Sequence, residues 1–353
     1  MRALPLISLL SWVFSSLFLA SCVPDFDADE SVVSVPRIVA IQADPPEAQP
    51  GEFVTYSALV AGPDGTHAAA DIDWAFCVAL KPLAELGPVS PACVRGDWDA
   101  LSAMGVGSSA GGTIPPMACS YFGPEPPATS DGQGGRPTDP DLTGGYKQPV
   151  RAALMIDEEQ RGVSFFEQRI HCGLVGANQA ESAEFRRRYR RNANPEIESV
   201  ELTHEDGRSE LVGDGVPARV APGELVELVV RWPDCPSEPG CGDEVCLSDE
   251  TATSCPEDCS PRAKTCAGAE EYLTFRLDGR EFELRREAIR VSWLATTPGL
   301  DEARTGVEAD DASPETRNRF LAPLTTGAAT IWIAIRDDRG GVGFRVVELD
   351  IAP

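Results

Sequence analysis

Cysteine is the residue type with the most evident chemistry in this 353-residue chain, which contains 11 cysteines. One of them, Cys22, ends an apolar N-terminal stretch, and the other ten are spread over the rest of the sequence. Ten is an even number, and cysteines in an oxidising compartment pair as disulfides. The count therefore predicts five disulfides among these disulfide candidates: Cys77, Cys93, Cys119, Cys172, Cys235, Cys241, Cys246, Cys255, Cys259 and Cys266.

Six of these cysteines crowd into the segment from Cys235 to Cys266. Structural zinc sites favour Cys-x2-Cys pairs, and the segment has none, so we predict a knot of three disulfides and no zinc. Six cysteines can pair in many ways, so the sequence leaves open which disulfides form among them. Two interpretations of the acidic side chains in this segment also stay open: a solvated loop, or a calcium site, since calcium prefers oxygen ligands. The acidic residues concerned are Asp243, Asp249, Glu250 and Asp258.

The N-terminus has the features of an export signal. Met1-Arg2 is positively charged, residues 3–20 are largely apolar, and small residues precede the cysteine in Leu19-Ala20-Ser21-Cys22. This arrangement resembles the lipobox of bacterial lipoproteins. The resemblance implies cleavage before Cys22, a diacylglyceryl group on its sulfur and a further acyl chain such as palmitate on its amine, which together give stable anchoring. Val23, rather than Asp, favours the outer membrane. An uncleaved transmembrane helix is the alternative.

No familiar catalytic arrangement is visible in the sequence. The three histidines, His67, His171 and His204, lack metal-ligand spacing, and neither His-Glu-x-x-His nor Gly-x-Ser-x-Gly occurs. The carboxylates of Asp337-Asp338 are typical of a turn. We therefore predict a protein that is not an enzyme, with no catalytic residues, no metal and no cofactor.

The charge of the chain limits its partners. There are 30 Lys and Arg against 56 Asp and Glu, a formal net charge of −26, which repels nucleic acid. The one basic block is Arg186-Arg187-Arg188-Tyr189-Arg190-Arg191. Two interpretations of that block remain open: a solvated face of a linker, or a dock for acidic partners or lipopolysaccharide phosphates.

Short alternating runs separated by turn residues indicate strands, and they divide the chain into parts. We predict a signal peptide at 1–21, a flexible tether at 22–35, one domain at 36–175 and a second at 196–353, joined by a polar linker at 176–195. A Pro/Gly-rich stretch at 94–149 is predicted to be a long loop of the first domain, and 233–270 a Cys-rich insertion in the second. Four tryptophans in strand patterns are more typical of core than of sugar platforms: Trp74, Trp232, Trp293 and Trp332.

The two predicted domains share a pattern. A Pro-Gly-Glu turn at 50–52 and another at 222–224 each open a long alternating strand, and a tryptophan strand follows in each half. This pattern resembles the immunoglobulin-like sandwich. With the lipobox and the Arg336–Gly341 hairpin, it is similar to lipoproteins of myxobacteria and their relatives that carry tandem immunoglobulin-like domains.

These observations lead to one expected fold and one expected role. We expect an all-β chain of two tandem immunoglobulin-like β-sandwiches, the second with a disulfide-rich insertion. The expected function is a non-catalytic binding or scaffolding module for a protein or glycan partner, held at the cell envelope by lipid on Cys22. The alternative is an accessory carbohydrate-binding subunit or a surface hydrolase.

Overall fold

We describe the fold from a computed structural model of the chain. It covers residues 30–65, 71–80, 89–123, 143, 145–156, 159–174, 176–213, 215–236, 241, 246, 250–256, 258–259 and 265–353. The predicted signal peptide, Cys22 and His67 lie outside these residues. Residues 31–353 form one compact unit. Within the described ranges, no helix has the length and apolar character needed to cross a bilayer.

The first sandwich consists of a three-stranded and a five-stranded sheet with strand orders β1-β3-β6 and β2-β8-β7-β4-β5. Tyr56, Trp74 and Phe76 pack between the two sheets, and Trp74 is fully buried. The strands are β1 (Arg37–Asp44), β2 (Glu47–Ala48), β3 (Phe53–Ala61), β4 (Asp71–Cys77), β5 (Leu101–Val106), β6 (Ser109–Thr113), β7 (Gly145–Ile156) and β8 (Glu159–His171). Two short helices accompany them, α1 (Pro91–Arg95) and α2 (Ala118–Phe122).

The second sandwich pairs a four-stranded sheet, β10-β9-β12-β17, with a five-stranded one, β11-β19-β18-β15-β16. Alternate residues of β15 are buried, as expected for a strand with one face on a core. Helix α3 (Gln179–Arg188) precedes this sandwich. The strands of its two sheets are β9 (Ser199–Thr203), β10 (Ser209–Leu211), β11 (Ala218–Val220), β12 (Leu225–Arg231), β15 (Ile289–Ala295), β16 (Arg304–Val307), β17 (Glu315–Leu321), β18 (Gly327–Asp337) and β19 (Val342–Ile351). β13 (Glu271–Arg276) and β14 (Glu281–Arg286) form a separate two-stranded sheet.

The two sandwiches repeat one topology. β1-β3-β6 corresponds to β9-β12-β17, and β2-β8-β7-β4-β5 corresponds to β11-β19-β18-β15-β16, including the parallel pairs β2–β8 and β11–β19. The Pro-Gly-Glu turns correspond in detail: the Glu52 carboxylate accepts from the Gln49 N–H, and the Glu224 carboxylate accepts from the Ala221 N–H, both at 2.8 Å. The predicted repeat and the predicted pair of immunoglobulin-like sandwiches are confirmed.

Strand β18 belongs to two cores at once. Ile331, Ile333 and Ile335 face the core of the second sandwich, whereas Trp332 and Ala334 pack against residues of β1 and β3 in the first sandwich. Because successive side chains of a strand point to opposite faces, one strand can bury both. The two sandwiches are therefore packed directly together along β18.

The structure corrects three of the predicted segments. In the predicted loop 94–149, β5 and β6 pair with β4 and β3, and β7 begins at Gly145. In the predicted tether 22–35, Val33 is buried and donates its N–H to the Ala295 carbonyl, so residues 31–35 are not a tether. The predicted linker 176–195 contains α3, whose Phe185 is buried against Leu273. In each case pairing or burial by distant residues outweighs a polar or glycine-rich local composition.

All ten predicted cysteines form disulfides. Cys77–Cys93 joins β4 to α1, and Cys119–Cys172 joins α2 to the end of β8. In the insertion, Cys235–Cys266 closes the base, and Cys241–Cys255 and Cys246–Cys259 interleave within it. Cross-links of this kind stabilise a segment that has little apolar surface to bury.

Candidate functional site

A buried arginine in the turn between β18 and β19 organises the charges at the junction of the sandwiches. Arg339 is 1 % exposed, and its Nε donates to Glu287 Oε1 at 2.6 Å. Its other nitrogens donate to the Glu270 carboxylate and, at 3.1 Å, to the carbonyl oxygen of Arg190. Its guanidinium carbon lies 4.7 Å from the centre of the Tyr272 ring. A guanidinium bonded on all sides is fixed in orientation, so Arg339 holds this turn in place.

A second buried charge lies opposite, on β2 of the first sandwich. The Glu47 carboxylate is 3.4 Å from Arg169 Nε and 3.6 Å from His171 Nδ1. It also accepts hydrogen bonds from the Tyr189 hydroxyl at 2.8 Å and the Asn192 N–H at 3.1 Å. Burial raises the pKa of Glu47, but the positive charges near it, above all Arg169, lower it by more. The pKa of Glu47 therefore lies below the usual value of a glutamate.

The segment after α3 connects these two charge clusters. The Tyr189 hydroxyl donates to Glu47 and accepts from Arg339 Nη1 at 3.4 Å. The Asn192 side-chain amide donates to the Asp337 carboxylate of the hairpin turn at 3.1 Å. A connected polar network of this kind, enclosed by protein, stiffens the structure around it. The two sandwiches are thus joined through residues 189–192 as well as through β18.

The carboxylates at Arg339 have the shifted pKa values of an active site but not its access. Burial raises the pKa of Glu270 to about 7, although Arg339 partly offsets this effect. Burial likewise raises the pKa of Glu287 well above its usual value. Carboxyls of this kind act as general acids where a substrate can reach them. Here both side chains are enclosed, at 5 % and 1 % exposed, and both are bound to Arg339 within the junction.

An open pocket with three arginines on its wall lies beside this network, between the segment after α3 and the Cys-rich insertion, and one of them, Arg187, is paired with Glu184. We call it the arginine pocket; its volume is about 490 Å³. Arg190 donates to Cys246 Sγ at 2.9 Å and to the Glu250 carbonyl oxygen at 2.5 Å, and Arg191 makes a two-pronged contact with Glu52. The other lining residues are Arg187, Asn192, Thr251, Ala252, Cys259 and Thr265. Guanidinium and hydroxyl groups around one space are suited to phosphate or carboxylate ligands.

Two of the four acidic residues of the Cys-rich insertion lie within the described residues. Glu250 and Asp258 are buried, and their carboxylates converge with disulfide sulfurs to within 4.8 Å. Those sulfurs belong to Cys241–Cys255 and Cys246–Cys259, so they are not thiolate ligands. Asp243 and Asp249 lie outside the described residues, and both interpretations of this segment, a solvated loop and a calcium site, stay open.

The two histidines that the structure describes lie in different parts of the fold. His171 belongs to the junction, and His204 lies in the second sandwich, where Nδ1 is 2.8 Å from a Glu224 carboxylate oxygen of the Pro-Gly-Glu turn. The Asp337 carboxylate accepts from the N–H groups of Arg339 and Gly341, which confirms its role in the turn.

The tryptophans separate into core and surface. The four predicted core tryptophans are at most 1 % exposed: Trp74, Trp232, Trp293 and Trp332. Trp98, which the sequence did not single out, is 87 % exposed on the turn after α1. The residues that build the junction, above all Arg339, Arg169 and Tyr189, were also missed. Their only signal is that they are long polar side chains at the ends of apolar strands and beside the arginine run.

Comparison with known proteins adds only distant structural likeness. No protein-family profile and no curated protein match this sequence. Fibronectin(III)-like modules of Clostridium thermocellum CbhA match 88 % of this chain and 94 % of theirs, at 8 % identity and a TM-score of 0.19. Latent PorU of Porphyromonas gingivalis matches 90 % of this chain, at 12 % identity and a TM-score of 0.19. The Yersinia pseudotuberculosis adhesin InvE matches 88 % of this chain, at 8 % identity and a TM-score of 0.19. The chain spans 24 % of PorU and 58 % of InvE, and no activity of these proteins is transferred to it.

Proposed function

We propose that this protein is a lipid-anchored, non-catalytic binding module of the bacterial cell envelope, which presents a stiff pair of sandwiches to a partner. The observation that carries the proposal is the enclosed ionic junction, because it encloses the carboxyls with the most strongly shifted pKa values and leaves an arginine-lined pocket open beside it. A binding module gains affinity when its site is fixed before the partner arrives. Enclosure of Glu270 and Glu287 favours this role over that of a surface hydrolase.

The location rests on the sequence. The lipobox at 19–22 supports lipid attachment at Cys22, and five disulfides support an oxidising compartment such as the periplasm or the cell surface. Val23 supports the outer membrane.

Replacing the anchoring sulfur tests this location. We expect Cys22→Ser to move the protein from the membrane fraction to the soluble fraction, or to leave its signal peptide uncleaved, because the hydroxyl cannot replace the thiol in lipid transfer. Fractionation of cells followed by mass measurement of the N-terminal peptide provides the readout. A Cys22→Ser protein that matures and stays on the membrane like the wild type contradicts lipid anchoring at that sulfur.

We infer that the arginine pocket is where the partner binds, and that it recognises phosphate or carboxylate groups of an envelope glycan or protein. Charge-assisted hydrogen bonds from guanidinium groups give such contacts strength and geometry. This pocket is a local exception on a chain of net charge −26, so binding there depends on short-range contacts rather than on the overall field.

Site-specific photo-crosslinking in intact cells tests the arginine pocket. A photoreactive amino acid at Ala252, on the pocket wall, is expected to yield one dominant adduct, whereas the same group at the exposed Leu211 of β10 is the matched control. Adding Arg190→Gln to the Ala252 variant should reduce that adduct. Equal adducts from Ala252 and Leu211, or an adduct unaffected by Arg190→Gln, would refute binding at this pocket.

A further inference from the structure

A second open site lies between the sandwiches, on the other side of the hairpin turn, and we call it the junction groove. Its volume is about 500 Å³, within the range of roughly 300–1,000 Å³ that is usual for small-molecule sites. It shares no lining residue with the arginine pocket. The side chains that matter below are Val39, Ile41, Lys147, Phe165, Phe166 and Arg336.

The groove is mainly apolar, and part of that apolar surface is open. Val39 and Phe165 are half-buried, and Ile41 is buried. Phe166 is also half-buried, and its ring lies 6.3 Å from that of Tyr56 in an edge-on contact. A fixed aromatic wall with open apolar neighbours suits an alkyl chain, because covering it removes apolar surface from water.

A cation with neutral partners lines this apolar groove. Arg336 Nη2 donates to the Val39 carbonyl oxygen at 2.8 Å, and Nη1 donates to the Ser292 hydroxyl at 3.2 Å. Burial lowers the pKa of Arg336, and the neighbouring cation Arg304 lowers it further. A partly buried guanidinium is normally balanced by an anion, since leaving a charge uncompensated away from water is costly.

Neither of the two carboxylates on the groove wall balances the charge of Arg336. The Asp337 carboxylate is occupied by Asn192 and by the N–H groups of Arg339 and Gly341. Glu167 is exposed to solvent at the rim. The Lys147 ammonium lies near Gly340, where an added Cβ would come within 3.3 Å of Nζ. The wall therefore places the Arg336 guanidinium beside an apolar floor.

We propose that the junction groove binds a small amphipathic anion of the fatty-acid class. Its carboxylate head pairs with Arg336, and its alkyl tail lies over Val39 and Phe165. The proposal is independent of partner binding at the arginine pocket, because the two sites have separate residues. It assigns the protein a lipid-derived ligand in addition to its envelope partner.

Photoaffinity labelling of the full lipoprotein tests this site. The probe is a decanoate that carries a diazirine and an alkyne, and mass spectrometry identifies the labelled peptide. We expect labelling in residues 36–41 or 163–167. Decanoate should compete at about tenfold or more lower concentration than decanol or decyltrimethylammonium, because a hydrogen bond to a charged group contributes about that factor or more.

Two arginine variants complete the test. Arg336→Met keeps an unbranched apolar stem but removes the guanidinium and its charge, and we expect labelling to fall about tenfold or more. Arg317→Met removes an exposed guanidinium of β17 and should leave labelling unchanged. If circular dichroism shows that Arg336→Met does not fold, the competition series decides alone. Label elsewhere in the chain, equal competition by decanol, or unchanged labelling of a folded Arg336→Met protein would each overturn the proposal.

Discussion

At the scale of single residues, Arg339 has the largest predicted effect on stability. Replacing it with Met takes the hydrogen-bond donor away from the buried Glu270 and Glu287 carboxyls and from the Arg190 carbonyl oxygen. A buried acceptor left without its donor costs about 1–3 kcal/mol. We therefore expect Arg339→Met to lower the free energy of unfolding by about 3 kcal/mol or more at pH 7, as measured by denaturant titration.

The matched control for Arg339 is an exposed arginine that is also ion-paired. Arg317 contacts Glu227 and Glu315 at the surface of the second sandwich, and surface pairs of this kind contribute about 0–1 kcal/mol. Arg317→Met should therefore change stability little. Similar losses of unfolding free energy in the two variants would show that burial does not increase the contribution of Arg339 to stability.

At the scale of elements, local pattern predicts many strands but misses several that lack an alternation of apolar residues. The alternation in β12 and the turn residues between β18 and β19 are local signals, and both elements are where they were expected. Strand β6 is Ser-Ala-Gly-Gly-Thr, which has no apolar alternation. Packing requires one of its glycines: a Cβ at Gly112 would lie 2.7 Å from the buried Phe76 ring. Such a strand exists because of its neighbours.

The candidate sites were less predictable than the strands for the same physical reason. The arginine run was visible in the sequence, but its pocket depends on the Cys-rich insertion approaching Arg190 from 56 residues away. The junction depends on Glu47 and Tyr189, which are 142 residues apart. Charges that meet through tertiary packing leave no periodic or spaced signal, whereas the ten paired cysteines were predictable from their number alone.

At the scale of the whole molecule, the junction makes stability depend on pH. The pKa of Glu270 is raised by burial to about 7 and that of Glu287 is raised well above its usual value, while both are near 4.5 when unfolded. Between those values the folded state holds more protons than the unfolded state, so stability falls as pH rises. Glu47 acts in the opposite sense, because its pKa is lowered and its contribution is lost only at acidic pH.

This balance predicts that the protein is more stable at about pH 5 than at about pH 8. For each proton held only by the folded state, the free energy of unfolding should fall by about 1.4 kcal/mol per pH unit. Glu270→Gln removes one titrating group and should flatten the decline, while Glu281→Gln, on the exposed face of β14, should not. Thermal unfolding midpoints across this range provide the measurement. Two results would contradict this prediction: an unfolding midpoint that rises from pH 5 to pH 8, or a pH dependence that Glu270→Gln leaves unchanged. Either would mean that these carboxyls do not hold their protons in the folded junction. The two sandwiches would then be joined mainly by the apolar face of β18.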